Sequence, residues 1–261
     1  MATSRLKSTS VALATVGLLM LLCAAMPLAA DEATAQNGRP DLAALVKRIT
    51  QAQMESRNNA TAYSVVREYK VFSADAAHPR SEVVASINFL PPNVKSYDIE
   101  RSTGGMGEKV VRNILDHEVD ATRDPRTMSV NEQNYRFDYE GEETIAGLGC
   151  YKLTITPRHE RKDLLKADIW VEKNGYRIVR MEGEPAKSPS FWVKDVYVVL
   201  SFGEVAGMWL QTETQAIARL RFGGEYKLVS HDLDYDLSRT VATKSTPRRR
   251  HASAMIAAGV R

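Results

Sequence analysis

ADIWVEKNGYRIVRME, residues 167–182, reads as two β-strands around a tight turn. The segments 167–172 and 176–182 are rich in β-branched and aromatic side chains, which fit a pleated, half-buried surface. Lys173-Asn174-Gly175 separates them, and Asn-Gly readily takes the positive φ angles of a tight hairpin. The pattern predicts that the two segments pair antiparallel.

The same texture continues in both directions. On the C-terminal side a loop holding Pro185 and Pro189 leads into 192–202, 208–216, 217–222 and 225–236, which read as long strands. On the N-terminal side stand 135–139 and 151–156, and further back 62–72 and 81–90 form a hairpin around a turn at 74–80 that contains Pro79. Pro91-Pro92-Asn93 breaks that pattern, and 94–100 resumes it. Two segments carry helical spacing instead. In 41–57, Leu42, Leu45, Val46, Ile49 and Met54 recur on one face behind Pro40 and Asp41. In 108–121, Val111, Ile114, Leu115 and Val119 do the same, after a flexible entry at Gly104, Gly105 and Gly107. No alternation of strand and helix runs through the chain, so a parallel sheet is excluded. The expected fold class is mainly β (α+β): ten or so antiparallel strands in a curved sheet or half-open β-barrel, with the helices covering one face.

The ends set the context. Met1 to Ser10 carries only Arg5 and Lys7 as charges, and 11–30 is apolar, the layout of a secretory signal. An A-x-A site at Ala33-Thr34-Ala35 and a second cut after Ala30 place the mature start at Gln36 or Asp31; an uncleaved anchor is the competing reading. Met20-Leu21-Leu22 precedes Cys23 without the small residue that lipid modification needs. Cys150 is then the one cysteine of the mature chain, expected buried and inert, and no intramolecular disulfide forms. The 261 residues carry a formal charge of +3, of which +5 sits on Lys244, Arg248, Arg249, Arg250 and Arg261, leaving about −2 for the rest. That balance excludes a general nucleic-acid footprint. The domain plan is a signal at 1–35, one folded domain at 36–242, and a basic disordered tail at 243–261, which reads as a soluble end, with peripheral contact to anionic membrane head groups as the alternative.

Motifs for catalysis are missing. His78, His117, His159, His231 and His251 are scattered, and His117-Glu118 has Ala121 where a second zinc ligand would stand. Beside His231, the carboxylates Asp232, Asp234 and Asp236 alternate along a strand, but without a glycine loop they read as a solvated face opposite Leu233, Tyr235 and Leu237. The stretch 104–109 lacks the spacing of a phosphate loop, and Ser188 and Ser190 lie in no nucleophile elbow. The chain is expected to be no enzyme and to carry no metal or cofactor. What does recur is apolar alternation: Trp192, Val196, Val198, Leu200 and Phe202 in one strand, Ile169 and Val171 in another, then Met208 and Leu210. These read either as ordinary core or as the lining of a hydrophobic cavity, with Leu45, Ile49, Ile114 and Leu115 on the helices that lid it.

The stretches 165–171, 176–183 and 187–194, above all Phe191-Trp192, resemble the LolA-like group of outer-membrane lipoprotein-sorting proteins, in a poorly characterised branch. The resemblance runs from the first helix to about Leu237. It implies a periplasmic half-barrel that binds lipoprotein acyl chains or another lipid without catalysis, in lipoprotein sorting, transport or chaperoning within the cell envelope. In the best-known carrier a basic residue just before the proline of an early strand holds the lid closed; Leu90 precedes Pro91 here, so no functional residue carries over at that position. A protein-interaction or signalling module of the envelope, with a filled core and a protein partner, is the alternative on the same fold.

Overall fold

The structure, a computed structural model, describes residues 39–73 and 76–237. The expected signal (1–35) and basic tail (243–261) lie outside the described residues.

Ten strands form one antiparallel sheet. In chain order they are β1 (Tyr63–Ser73), β2 (Ser81–Leu90), β3 (Val94–Ser102), β4 (Tyr135–Ile145), β5 (Leu148–Pro157), β6 (Leu165–Glu172), β7 (Ile178–Pro185), β8 (Val193–Val205), β9 (Met208–Leu220) and β10 (Gly224–Asp236). The spatial order is β3-β2-β1-β10-β9-β8-β7-β6-β5-β4, so the sheet is curved but unclosed, with β3 and β4 as edges. Helices α1 (Leu42–Asn58) and α2 (Gly105–Arg123) complete the fold. This is the mainly β class expected from the alternation.

Two local expectations need correction. Segments 208–216 and 217–222 are not two strands: β9 runs unbroken from Met208 to Leu220, because no Gly, Pro, Asn or Asp stands between those residues to turn the chain. The turn at 173–175 is also not a two-residue hairpin. The left-handed residue is Tyr176 (φ 56), neither Asn174 nor Gly175. Glu172 N–H donates to the Arg177 carbonyl and Tyr176 N–H to that of Glu172, each at 3.0 Å, so a four-residue loop joins β6 to β7. The Glu172 carboxylate, almost buried, takes the Arg177 guanidinium as its partner, and that guanidinium lies 4.1 Å over the Trp209 ring.

Paired residues on neighbouring strands share a face, so register shows how the helices lie on the sheet. One row of partners crosses eight strands: Val71, Leu228, Ala216, Val198, Gly183, Ala167, Ile155, Phe137. The next is Tyr69, Ser230, Thr214, Leu200, Met181, Ile169, Leu153, Tyr139. At the β4–β7 end Leu45 and Ile49 of α1 pack with Leu153, Ile155, Ala167, Ile169, Val171 and Met181. At the β1–β3 end Val111 and Leu115 of α2 pack with Val65, Tyr69, Val83, Ile87 and Leu228. Both helices therefore cover the same face. On the opposite face Cys150, Trp170 and Val179 form a small cluster, with Trp209 against it. Cys150 is fully buried and unpaired, and burial pushes its thiol pKa up, as expected of an inert cysteine.

Start signals place both helices. The Asp41 carboxylate accepts from the Ala43 and Ala44 N–H groups and caps α1. Asp41→Ala is expected to cost about 1 kcal/mol, a fall of roughly 2–4 °C in Tm, and Asp41→Asn much less; thermal unfolding followed by circular dichroism measures both. The Gly104 to Gly107 stretch is an entry to α2, not a phosphate loop. A Cβ on Gly107 would come within 2.3 Å of Ser81 Cβ, so the helix sits directly on β2.

Candidate functional site

Between the two covered ends the sheet is only half covered. Across β7, β8, β9 and β10 the first row reads Gly183, Val198, Ala216, Leu228, and the row before it reads Val196, Ala218, Tyr226. Small side chains predominate in this strip. Val196, Val198, Leu200, Ala216 and Ala218 are each half-buried, while their neighbours under α1 and α2 are fully buried. Gly183 lowers the floor further: a Cβ there would stand 2.1 Å from the Lys166 carbonyl oxygen and 2.6 Å from Ala167 Cα. The result is a shallow apolar trough walled by the two helix-covered clusters. Val196 also lines a small, largely polar cleft of about 100 Å³ with Glu184, Pro185, Ser188, Pro189, Lys194 and Asp195 at the β7–β8 loop.

The cavity residues expected from alternation fall into three places. Val196, Val198 and Leu200 line the trough, with Phe202 and Leu200 against the α1 cluster and Leu210 against the α2 cluster. Ile169, Val171 and Met208 are core: α1 closes over the first two, and Met208 sits under the α2 cluster. Trp192 lies just ahead of β8 and projects from the sheet, 63% exposed, so it lines no interior. Of the lid residues, Leu45 and Ile49 belong to the first cluster, Leu115 and Ile114 to the second.

A buried ionic anchor fixes α2 to the sheet, and alternation did not reveal it. Arg67 occupies the inner face of β1 between Val65 and Tyr69, with its side chain 8% exposed. It donates through Nε to Asp232 on β10 and through Nη1 to Glu118 on α2 at 3.0 Å. Lys95 of β3 reaches the other Glu118 oxygen at 3.3 Å, and the Tyr235 hydroxyl donates to Asp232. Burial lowers the Arg67 pKa, but Glu118, Tyr69 and Asp232 outweigh it and hold the guanidinium above its ordinary value. Burial also lifts the neighbouring Tyr63 hydroxyl to about 12. The Asp232 side chain is only 4% exposed, which corrects the reading of Asp232, Asp234 and Asp236 as one solvated face. Leu233 is an extra residue in β10: Arg67 pairs with Asp232 and Val66 with Asp234, so the alternation flips and Leu233 is exposed instead. The readable signal was a lone arginine in the apolar series Tyr63, Val65, Arg67, Tyr69, Val71.

Among the described residues no group of three His, Cys, Asp or Glu side chains is placed to hold a metal ion, and no helix is long and apolar enough to cross a membrane. A second cleft, about 420 Å³ and open to solvent, lies between the β1–β2 and β9–β10 turns, lined by Ser73, Ala76, Arg80 and 223–226.

The fold is thus an unclosed antiparallel half-barrel whose inner face is shared by two helices and a trough. No family model matches the chain, and no curated protein does. Among solved structures it is similar to a DUF1329 family protein from Desulfovibrio piger (14% identity, 76% of this chain and 95% of that one, TM-score 0.40). It is similar also to a LolA superfamily protein from Nitrosomonas europaea (14% identity, 74% and 94%, TM-score 0.36). A third is a domain from Vibrio parahaemolyticus described as an outer membrane lipoprotein-sorting protein (11% identity, 76% and 95%, TM-score 0.40).

Proposed function

We propose that this chain is a non-catalytic carrier or sensor of the periplasm that holds an acyl chain, of a lipoprotein or another lipid, in the trough between α1 and α2. The observation that carries the reading is the strip of half-buried small apolar side chains, Val196, Val198, Ala216 and Ala218 over Gly183, on the one face that both helices cover. Each methylene moved there from water contributes about 0.8 kcal/mol, so micromolar binding, about 8 kcal/mol, asks for at least about ten buried methylenes, the length of a fatty acyl chain. Sorting of outer-membrane lipoproteins is the use that the family resemblance suggests. No cofactor or metal enters this reading, and no nucleic acid partner.

The test is uptake of a fluorescent fatty acid by purified protein, with mass spectrometry of the organic extract. Wild type is expected to bind the probe and to carry acyl lipid. Val198→Glu places a charge in the trough floor and is expected to lower affinity at least tenfold while the fold, followed by circular dichroism, survives. A clean extract and no uptake by folded wild type would sink the carrier reading.

A second reading has its own observation. The core under α1 is filled, with Ile49, Leu153, Ile155, Ile169 and Val171 fully buried. A closed core of that kind suits a signalling or interaction module whose trough receives an apolar segment of an envelope protein. Failure of lipid uptake would move the assignment there.

A further inference from the structure

We propose that the end of the sheet where the β7–β8 loop meets the β9–β10 turn docks on an anionic lipid surface. Phe191, Trp192 and Phe222 are 70%, 63% and 75% exposed, and they form one cluster: Trp192 packs edge-on against Phe191 at 5.5 Å and Phe222 at 6.2 Å between ring centroids. Large rings left in water at one point are the feature that calls for a partner, since such patches mark interaction sites.

The patch is built, not frayed. Arg221 N–H donates to the Trp192 carbonyl at 2.9 Å, its Nε donates to the Phe191 carbonyl at 2.7 Å, and its guanidinium lies 5.4 Å from the Phe191 ring. Ser188 Oγ donates to the Val193 carbonyl at 3.1 Å and holds the loop from the other side. The two segments are therefore tied together with their rings pointing outward.

Charge complementarity selects the occupant. Lys187, Lys194 and Arg221 are exposed and make no ion pair among the described residues; the nearby carboxylates are Glu184, exposed beside Lys194 in the same cleft, and Asp195 and Glu225, which share Arg219 at 3.7 and 3.2 Å, so cations exceed carboxylates by one. Aromatic rings flanked by a small excess of exposed cations suit the boundary between acyl chains and phosphate head groups. A stable protein interface needs about 800 Å² per partner, and three ring side chains of roughly 150–250 Å² each, about two-thirds exposed, offer about half of that. Val196, at one end of the apolar strip, lies four residues from Trp192. Docking would thus bring the carrier site of the proposed function to a bilayer, although the docking itself stands without it.

The readout is local to the tip, so that attachment through any other segment does not register. The full chain and its Trp192→Phe variant are mixed with phosphatidylcholine vesicles, with or without phosphatidylglycerol, in brominated and unbrominated form. Expected is a blue shift of the Trp192 emission, taken as the difference between the two proteins, and its quenching by brominated lipid, both dependent on phosphatidylglycerol. Lys194→Gln and Arg221→Gln should each weaken that quenching about fivefold. Equal Trp192 emission in brominated and unbrominated vesicles overturns the proposal. So does quenching indifferent to phosphatidylglycerol and to both cations, or a blue shift that rises with protein concentration alone, which would assign the patch to a second copy of the chain. Fatty-acid uptake without vesicles should be unchanged in Trp192→Phe, so loss of trough binding and loss of docking are separately visible.

Discussion

Arg67→Met should lower Tm by about 10 °C or more, the largest loss expected from any single side chain outside the apolar core. The substitution keeps much of the volume but leaves Asp232, whose side chain is 4% exposed, as a buried carboxylate facing only the Tyr235 hydroxyl. Breaking a buried pair from one side costs about 3–5 kcal/mol, and in a domain of this size each kcal/mol is worth roughly 2–4 °C. Removing both charges is a different case. Arg67→Met with Asp232→Leu should recover more than half of the loss, because no unpaired ion remains; thermal unfolding of the two single variants and the double closes the cycle. Recovery of nothing would mean that Arg67 acts by packing alone. The functional corollary concerns α2. Glu118 takes both Arg67 and Lys95, so Glu118→Gln weakens the hold of the helix without stranding Asp232, and it should change fatty-acid uptake more than it changes Tm.

Gly183→Val is the second large effect. The close approach at this position is to backbone, the Lys166 carbonyl and Ala167 Cα, so a rotamer change cannot relieve it. Strands β6 and β7 must separate where they are hydrogen-bonded, and overpacking of this kind costs typically 1–3 kcal/mol and more when backbone has to move. The expected fall in Tm is roughly 6–12 °C, on the scale of 2–4 °C per kcal/mol. Gly183→Ala should give a smaller loss in the same direction. A neutral Gly183→Val would show that the β6–β7 spacing yields easily, and the floor of the trough would then be soft.

Alternation carried the strand reading far: nearly every stretch of period two became a strand, and the two segments of period 3.6 became the two helices. It failed where register matters. A split was expected inside β9 between Ala216 and Ile217, but no turn residue stands there and the strand runs through. Asp232 was assigned to a solvated face because strict alternation was assumed through Leu233, and one extra residue reverses everything beyond it. The trough was legible only in part. Val196, Val198 and Leu200 are visible as an apolar face, yet what makes them a floor is their alignment with Ala216, Ala218 and Gly183, on strands whose offset is fixed by turns elsewhere. Whether an inward-facing residue ends as core or as lining depends on where a helix lies over it. Ile169 and Val198 look alike in the sequence and differ because α1 covers one of them.

The middle of the sheet is also its latest part to exist. β1 pairs with β10 along nearly its whole length, and Arg67 is separated from Asp232 by 165 positions. While the chain is being made, β1 through β3 and β4 through β9 emerge as two pieces, and the strand that welds them comes last. Until then the α2 cluster lacks Leu228, and Arg67 lacks one of its carboxylates. Closing a loop of that span sets the pace of folding, since distant pairing is slow and its entropy is lost before any contact repays it. The order of the strands therefore works as a timer, leaving the sheet in two pieces until its final strand is free.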